Sequence, residues 1–280
     1  MELPGGIIVD QKVCRSFNFK PLTGTLERVI SESGFELKSL AEQVTLILVQ
    51  ALDNVAGLTA SKELVRSLCS GDRLYLMLQL QALLDPSPQW LTSHCRHCDE
   101  KIQFQFEPTS MPVKPAGKDY PDTSILLSSG EVKIRVPSGA DEESLASNAQ
   151  NEQNAMDLLL QLLLSATSHT QNIHTLSQDD LELIDHKLDE MSPQPGTSVS
   201  IECPYCSFQQ QVNIDHYSWI SQSTQDLDEE IHTLAVNYHW SEKDILALPK
   251  RRRKHYLELI QRSQGKYQAD DFIHASRGEV

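Results

Sequence analysis

No stretch of this 280-residue chain is apolar for long enough to cross a bilayer. The most apolar segment, Met156 to Leu164, is broken by Asp157 and Gln161 and falls far short of the ~20 residues a span requires. The beginning, Met1-Glu2-Leu3-Pro4-Gly5-Gly6, lacks the basic residues and apolar core of a secretory signal, so the expected location is the cytoplasm of the producing cell. Catalytic signatures are missing as well. There is no phosphate-cradling glycine loop, no His-Glu-x-x-His and no Gly-x-Ser-x-Gly, and a non-enzymatic protein is expected. Positive charge is scarce: 24 Lys and Arg stand against 39 Asp and Glu, a formal charge of −15. Such a surface repels phosphates and membrane headgroups, which argues against a nucleic-acid or membrane partner unless a local basic patch exists.

What is present describes a folded protein. Hydrophobic residues make up 39% and charged residues 22%, too apolar for a disordered chain. The length suits roughly two ordinary domains, or one with a large insertion.

The pattern reads as α+β, mainly helical. In residues 1–88, Pro4-Gly5-Gly6 reads as a turn, Ile7 to Phe19 as a strand or extended arm, and the rest as a small helical bundle. Ser39 and Glu42 match a capping box ahead of Val44, Ile47, Leu48 and Ala51. A short helix covers Glu63 to Leu68, and Ser70 is placed to cap the next, which Pro86 should stop. Asp72-Arg73 and Asp141-Glu142-Glu143 read simply as helix starts, where carboxylates are favourable, and Cys69 as a small buried hydrophobe. In 89–140, Ile102, Phe104 and Phe106 alternate with polar residues, as do Val132, Ile134 and Val136, marking strands joined by a proline-rich connection. Residues 141–196 read as a helical insertion, with Ser177 and Asp180 capping one helix and Pro193-Gln194-Pro195-Gly196 breaking the chain. A second strand region follows in 197–220. C-terminal helices fill 221–265, with Leu227, Ile231, Leu234 and Tyr238 on one stripe, Ser241 as a cap and Pro249 opening the last helix. A mobile tail is expected over 266–280.

Four of the six cysteines form two pairs, Cys95/Cys98 and Cys203/Cys206. In a cytosolic chain that points to metal before disulfides. A Cys-x-x-Cys turn supplies two thiolates, and zinc takes four ligands in a tetrahedron, so the two pairs together make one complete structural Zn2+ site. Each is followed by an alternating strand, which suggests two related halves of a split, zinc-ribbon-like β module. About 100 residues separate the pairs, against roughly 15–20 in a familiar ribbon, and the intervening helices read as an insertion. The alternatives are two sites completed by His94 or His97 and by His216, or unmetallated thiols. Cys203-Pro204-Tyr205-Cys206 also spells the glutaredoxin motif, but a redox thiolate needs a helix N-terminus and a strand pattern follows here. His232 and His239 read as surface or packing residues.

Lys250-Arg251-Arg252-Arg253-Lys254 is the one basic cluster. Five positive charges in the first turns of a helix oppose its dipole, so something acidic should compensate them: this protein's own surface, a partner protein or nucleic acid. With Tyr256 nearby, these residues are candidate contacts for an acidic partner. The competing class is a nucleic-acid-binding zinc ribbon.

Several segments together resemble one family: zinc-knuckle proteins of phage-tail-like contractile injection systems, related to T4-type baseplate hub assembly chaperones. The resemblance runs through Arg15 to Glu27, Leu68-Cys69-Ser70-Gly71-Asp72-Arg73, both knuckles, and Arg135 to Asp141. It is most specific in His232 to Leu259, with Ala235-Val236-Asn237-Tyr238-His239-Trp240-Ser241-Glu242 leading to Leu248-Pro249 and Arg252-Arg253-Lys254-His255-Tyr256. It implies an assembly chaperone or minor structural component of a baseplate or hub, with tail proteins as partners and no catalysis.

Overall fold

The structure is a computed structural model describing residues 1–36, 39–85, 88–149, 151–166, 176–217, 219–220 and 224–275. Helices alternate with small sheets in an α+β arrangement, and every strand pairing among the described residues is antiparallel. No helix of the described residues is long and apolar enough to cross a membrane.

The N-terminal unit is not the helical bundle its apolar spacing suggests. β1 (Glu2–Val9) and β2 (Lys12–Phe19) form a hairpin turned at Asp10 and Gln11, both with positive φ, the backbone that a two-residue hairpin turn demands. β3 (Leu52–Val55) and β4 (Leu58–Thr59) complete a sheet ordered β1-β2-β3-β4. Four helices cover it: α1 (Gly24–Glu36), α2 (Leu40–Ala51), α3 (Lys62–Ser67) and α4 (Ser70–Leu84). Phe17, Ile47, Leu48, Leu68 and Met77 are fully buried between them.

The Pro4-Gly5-Gly6 turn is also corrected. These residues lie inside β1, where the pairing register shifts between Glu2 and Ile7. The amides released there are taken by the buried Asp72 carboxylate, which accepts from Gly5 and Gly6 N–H at 2.7 Å each. Buried amides need such acceptors, so Asp72 does more than favour a helix start. Arg73 is fully buried too, donating to Glu142, Thr45 and the carbonyls of Val65 and Ala41. The Ser39–Glu42 capping box forms as expected, with reciprocal bonds of 3.2 Å. The cap of α4 is Cys69 rather than Ser70, and its side chain makes no capping bond. The helix ends at Leu84; Pro86 lies outside the described residues.

β5 (Gln89–His94) and β6 (Lys101–Phe106) form one isolated hairpin. After a 3-10 turn at Pro108–Ser110 comes β7 (Val113–Lys114), then β8 (Asp122–Leu127) and β9 (Gly130–Arg135). The helical insertion expected over 141–196 opens with two helices, α5 (Gly139–Asn148) and α6 (Glu152–Leu163), and the chain then adds β10 (Leu164–Ala166) to give the sheet β10-β9-β8. α7 (Gln178–Met191), capped by Ser177 and Asp180, packs Ile184 and Met191 on this sheet beside Val132, Ile134 and Cys69. The proline-rich breaker holds a strand of its own: β11 (Gln194–Pro195) pairs with β7. That pairing carries the chain back beside its own residues 113–114 before β12 (Ser198–Glu202) and β13 (Gln209–Asn213) form the second isolated hairpin.

At the C-terminus, α8 (Thr224–Tyr238), α9 (Glu242–Leu246) and α10 (Lys250–Ala275) enclose Leu227, Leu234, Ile245 and Ile260. Beside them Tyr238 stacks on Trp240 and Tyr256 packs edge-on to both, with ring centroids 4.8–5.6 Å apart. The backbone is helical through Ala275, so two thirds of the segment expected as a tail, residues 266–275, continues α10. Residues 276–280 lie outside the described ones.

Candidate metal centre

Both cysteine pairs occupy the loop of a hairpin. In the first, β5 and β6 end on the pair His94↔Lys101, leaving Cys95 to Glu100 as the loop; in the second, Glu202↔Gln209 leaves Cys203 to Phe208. The two loops match bond for bond. Cys95 N–H donates to Glu100 O and Cys203 N–H to Phe208 O, each at 2.9 Å. Asp99 N–H returns to Cys95 O and Ser207 N–H to Cys203 O, again at 2.9 Å. Asp99 and Ser207 take the same left-handed backbone, φ 61° and 57°, which turns the chain toward the second strand just after each loop's second cysteine.

The hairpins meet loop to loop. Cys95 Sγ lies 3.6 Å from Cys206 Sγ, and Cys98 Sγ lies 3.6 Å from Cys203 Sγ. All four sulfurs fall within 4.8 Å of one another. Cys95 and Cys203 are buried, Cys98 and Cys206 partly so. All four thiols are free. Around them the contact is supported by Gln210, which accepts from Arg96 N–H at 2.8 Å and donates to His94 O at 3.0 Å. His97 stacks on Phe208 across the same seam.

The electrostatics of the cluster favour a cation. Backbone N–H groups of Cys98 and then His97 point at Cys95 and, against burial, pull its thiol down to about 6. The N–H of Glu100 likewise favours a thiolate at Cys98, yet burial and the other three sulfurs outweigh it and push that thiol up to about 12. Amides placed to favour thiolates, beside sulfurs too close to ionise together unaided, are compatible with a bound cation. The four cysteines could hold one metal ion.

The histidine-completed alternatives do not assemble. His94 Nδ1 lies 3.2 Å from Asp99 O, His97 is engaged in stacking, and the buried His216 has Nε2 against Gly196 O at 2.8 Å. Burial pushes the pKa of His216 down, away from the charged form. Nor does Cys203 sit at a helix N-terminus; its motif links two strands.

The basic cluster divides. Arg253 is completely buried. Its Nη2 donates to both Glu27 oxygens at 2.7 and 2.8 Å, its Nε to Glu230 at 2.8 Å and its Nη1 to Leu248 O at 2.8 Å. The expected docking role is therefore corrected for Arg253: the protein's own acids compensate it, tying the C-terminal helices to α1. Arg28, which reaches Asp228 and Glu242 across the same seam, adds a more exposed link. Arg251, Arg252 and Lys254 remain exposed and Lys250 partly exposed. Tyr256 is half-buried, edge-on to Trp240 at 4.9 Å. Sequence reasoning missed Gln210, whose only signal is a polar residue at the inward position of an alternating strand.

Fold and site define an α+β protein with a four-cysteine centre built from two hairpins. Comparison with family models finds no match, and comparisons with curated proteins and with solved structures find none either.

Proposed function

We propose that this chain is a non-enzymatic assembly factor, or minor structural component, for the baseplate or hub of a phage-tail-like contractile injection machine, and that its four-cysteine centre holds one structural zinc ion. The convergence of four sulfurs from hairpins about 100 residues apart carries the metal half of this reading. Four thiolate donors select a soft, tetrahedral cation. Ligands about 2.3 Å from a zinc ion stand about 3.8 Å apart; the two closest sulfur separations, 3.6 Å each, lie near that value, and all four sulfurs are within 4.8 Å of one another. When bound, the ion supplies a tetrahedral cross-link and no open coordination position, hence no Lewis-acid chemistry.

The protein's own residues do the rest. Amides of His97 and Cys98 orient the Cys95 sulfur, Gln210 sets the spacing of the loops, and His97 on Phe208 shields one side. The assembly role rests on the family resemblance of the C-terminal block and both knuckles. Partner contact is assigned to the exposed cations Lys250, Arg251, Arg252 and Lys254, with Tyr256 beside them.

Metal analysis of protein purified without chelator should give one zinc per chain, falling to near zero in Cys98→Ser and in Cys203→Ser. Absence of metal, or full loading in either variant, refutes the shared site. For the assembly role, co-expression with neighbouring tail genes should co-purify baseplate or hub components; purification of the chain alone from such cells counts against it.

A further inference from the structure

The division of the basic cluster leaves a surface with a defined chemistry. Between the start of α10 and the end of α4 runs a groove of about 560 Å³ whose floor is Leu22, Leu83 and Leu84. Leu83 is 47% exposed. Lys250, Arg251 and Lys254 line the same groove, with Glu258 the one acid among its lining residues. Arg253, between them in sequence, points inward to Glu27 and Glu230. The three groove cations make no ion pair among the described residues.

We infer that this groove is a docking site for an acidic amphipathic helix of a partner protein, one that sets leucine-type side chains on the leucine floor and carboxylates against Lys250, Arg251 and Lys254. Two independent features select that occupant. First, the cations crowd the positive end of a helix without internal compensation, an unfavourable arrangement that an incoming anion relieves. Second, the molecule as a whole carries a formal charge of −15, so an acidic partner is repelled on average and is drawn to a local cluster of cations such as this one. Complementarity of that kind fixes orientation and speeds encounter. Aliphatic floor and charged rim together match helix-in-groove recognition. A nucleic acid would ask instead for aromatic platforms, and His255 is the one aromatic ring among the groove's lining residues, with no Phe, Tyr or Trp beside it. The inference deepens the docking role proposed above and rests on it only for the identity of the client.

The test uses the full-length protein and a fluorescein-labelled peptide repeating Leu-Glu-Asp-Leu-Leu-Glu-Asp, with two control peptides in which serine replaces leucine or lysine replaces the acids. The first peptide should bind saturably at low salt and both controls at least about tenfold more weakly. Arg251→Glu/Lys254→Glu and, separately, Leu83→Asp should each weaken binding by about tenfold. All three positions are exposed, and unchanged circular dichroism and melting confirm an intact fold. Lys243→Glu, an exposed cation on α9 outside the groove, should bind as wild type. Equal loss in Lys243→Glu, or indifference to Leu83→Asp, overturns the groove. So does equal affinity for a single-stranded oligonucleotide, or a self-association that Arg251→Glu/Lys254→Glu abolishes. Peptide binding that persists while tail proteins fail to co-purify sinks the assembly reading and leaves the groove standing; the converse result sinks the groove alone.

Discussion

Replacing Arg253 by methionine should destabilise the attachment of the C-terminal helices by about 3–4 kcal/mol at pH 7. The figure follows from what the substitution strands. The guanidinium donates four hydrogen bonds, two of them to Glu27 and one to Glu230, and the glutamate side chains are only 10% and 12% exposed. Methionine fills much of the volume but leaves Glu27 charged in a site it shared with its counterion. The penalty has a ceiling, because Glu27 can escape it by taking a proton. Protonating an ordinary glutamate at pH 7 costs about 3.7 kcal/mol, from a pKa of about 4.3 and 1.36 kcal/mol per unit. The same escape becomes cheaper by about 2 kcal/mol at pH 5.5.

In the variant the folded chain thus favours the proton more than the unfolded chain does, so stability lost at neutral pH returns as pH falls. Urea denaturation of wild type and variant at pH 7 and pH 5.5 measures both quantities, and hydrogen exchange locates the loss in α8 to α10. Arg253→Met combined with Glu27→Gln and Glu230→Gln should recover most of it, since no charge is then left unpaired. A loss below about 1 kcal/mol at pH 7, or one that does not change with pH, would refute the account of Arg253 as the internal counterion.

Two further outcomes follow from the packing. A Cβ added at Gly71 would overlap the carbonyl of Pro193, so Gly71→Ala should cost about 1–3 kcal/mol by forcing the β11 segment away from α4; a melting temperature equal to wild type would contradict that approach. Asp180 accepts from the amides and hydroxyls of Ser128 and Ser177 at 2.5–3.1 Å, and these donors, the Ser128 hydroxyl foremost, hold its carboxyl well below the usual range. Its stabilisation is present above about pH 4 and is lost as acid titrates it below that. Asp180→Asn should therefore flatten the acid limb of stability against pH, and an unchanged limb would show that another carboxylate governs it.

The parts legible in the sequence are those whose causes are local. The Ser39–Glu42, Ser177–Asp180 and Ser241 caps are each settled within four residues, and the knuckles declare themselves by spacing. The stripe from Leu227 to Tyr238 announces its buried face. What escaped is decided across the chain. Gly5 and Gly6 look like a turn until Asp72, far along the sequence, captures their amides. β7 and β11 are two residues each and exist only because they find one another. Arg253 cannot be told from its four basic neighbours by composition; only α1 and α8, arriving with Glu27 and Glu230, set it apart.

The order in which the hairpins leave the ribosome gives the four-cysteine centre a schedule. At ordinary rates of synthesis roughly 5–20 s pass between the appearance of Cys95 and that of Cys203. During that interval half of a ligand set stands complete in shape and incomplete in number, while the β8–β10 sheet and its helices are still being made. Closure is thus a late event, licensed by residues that arrive after most of the molecule has been built. On the proposed zinc reading, the expected casualty of zinc starvation is therefore the join between the hairpins, with the N-terminal sheet left standing.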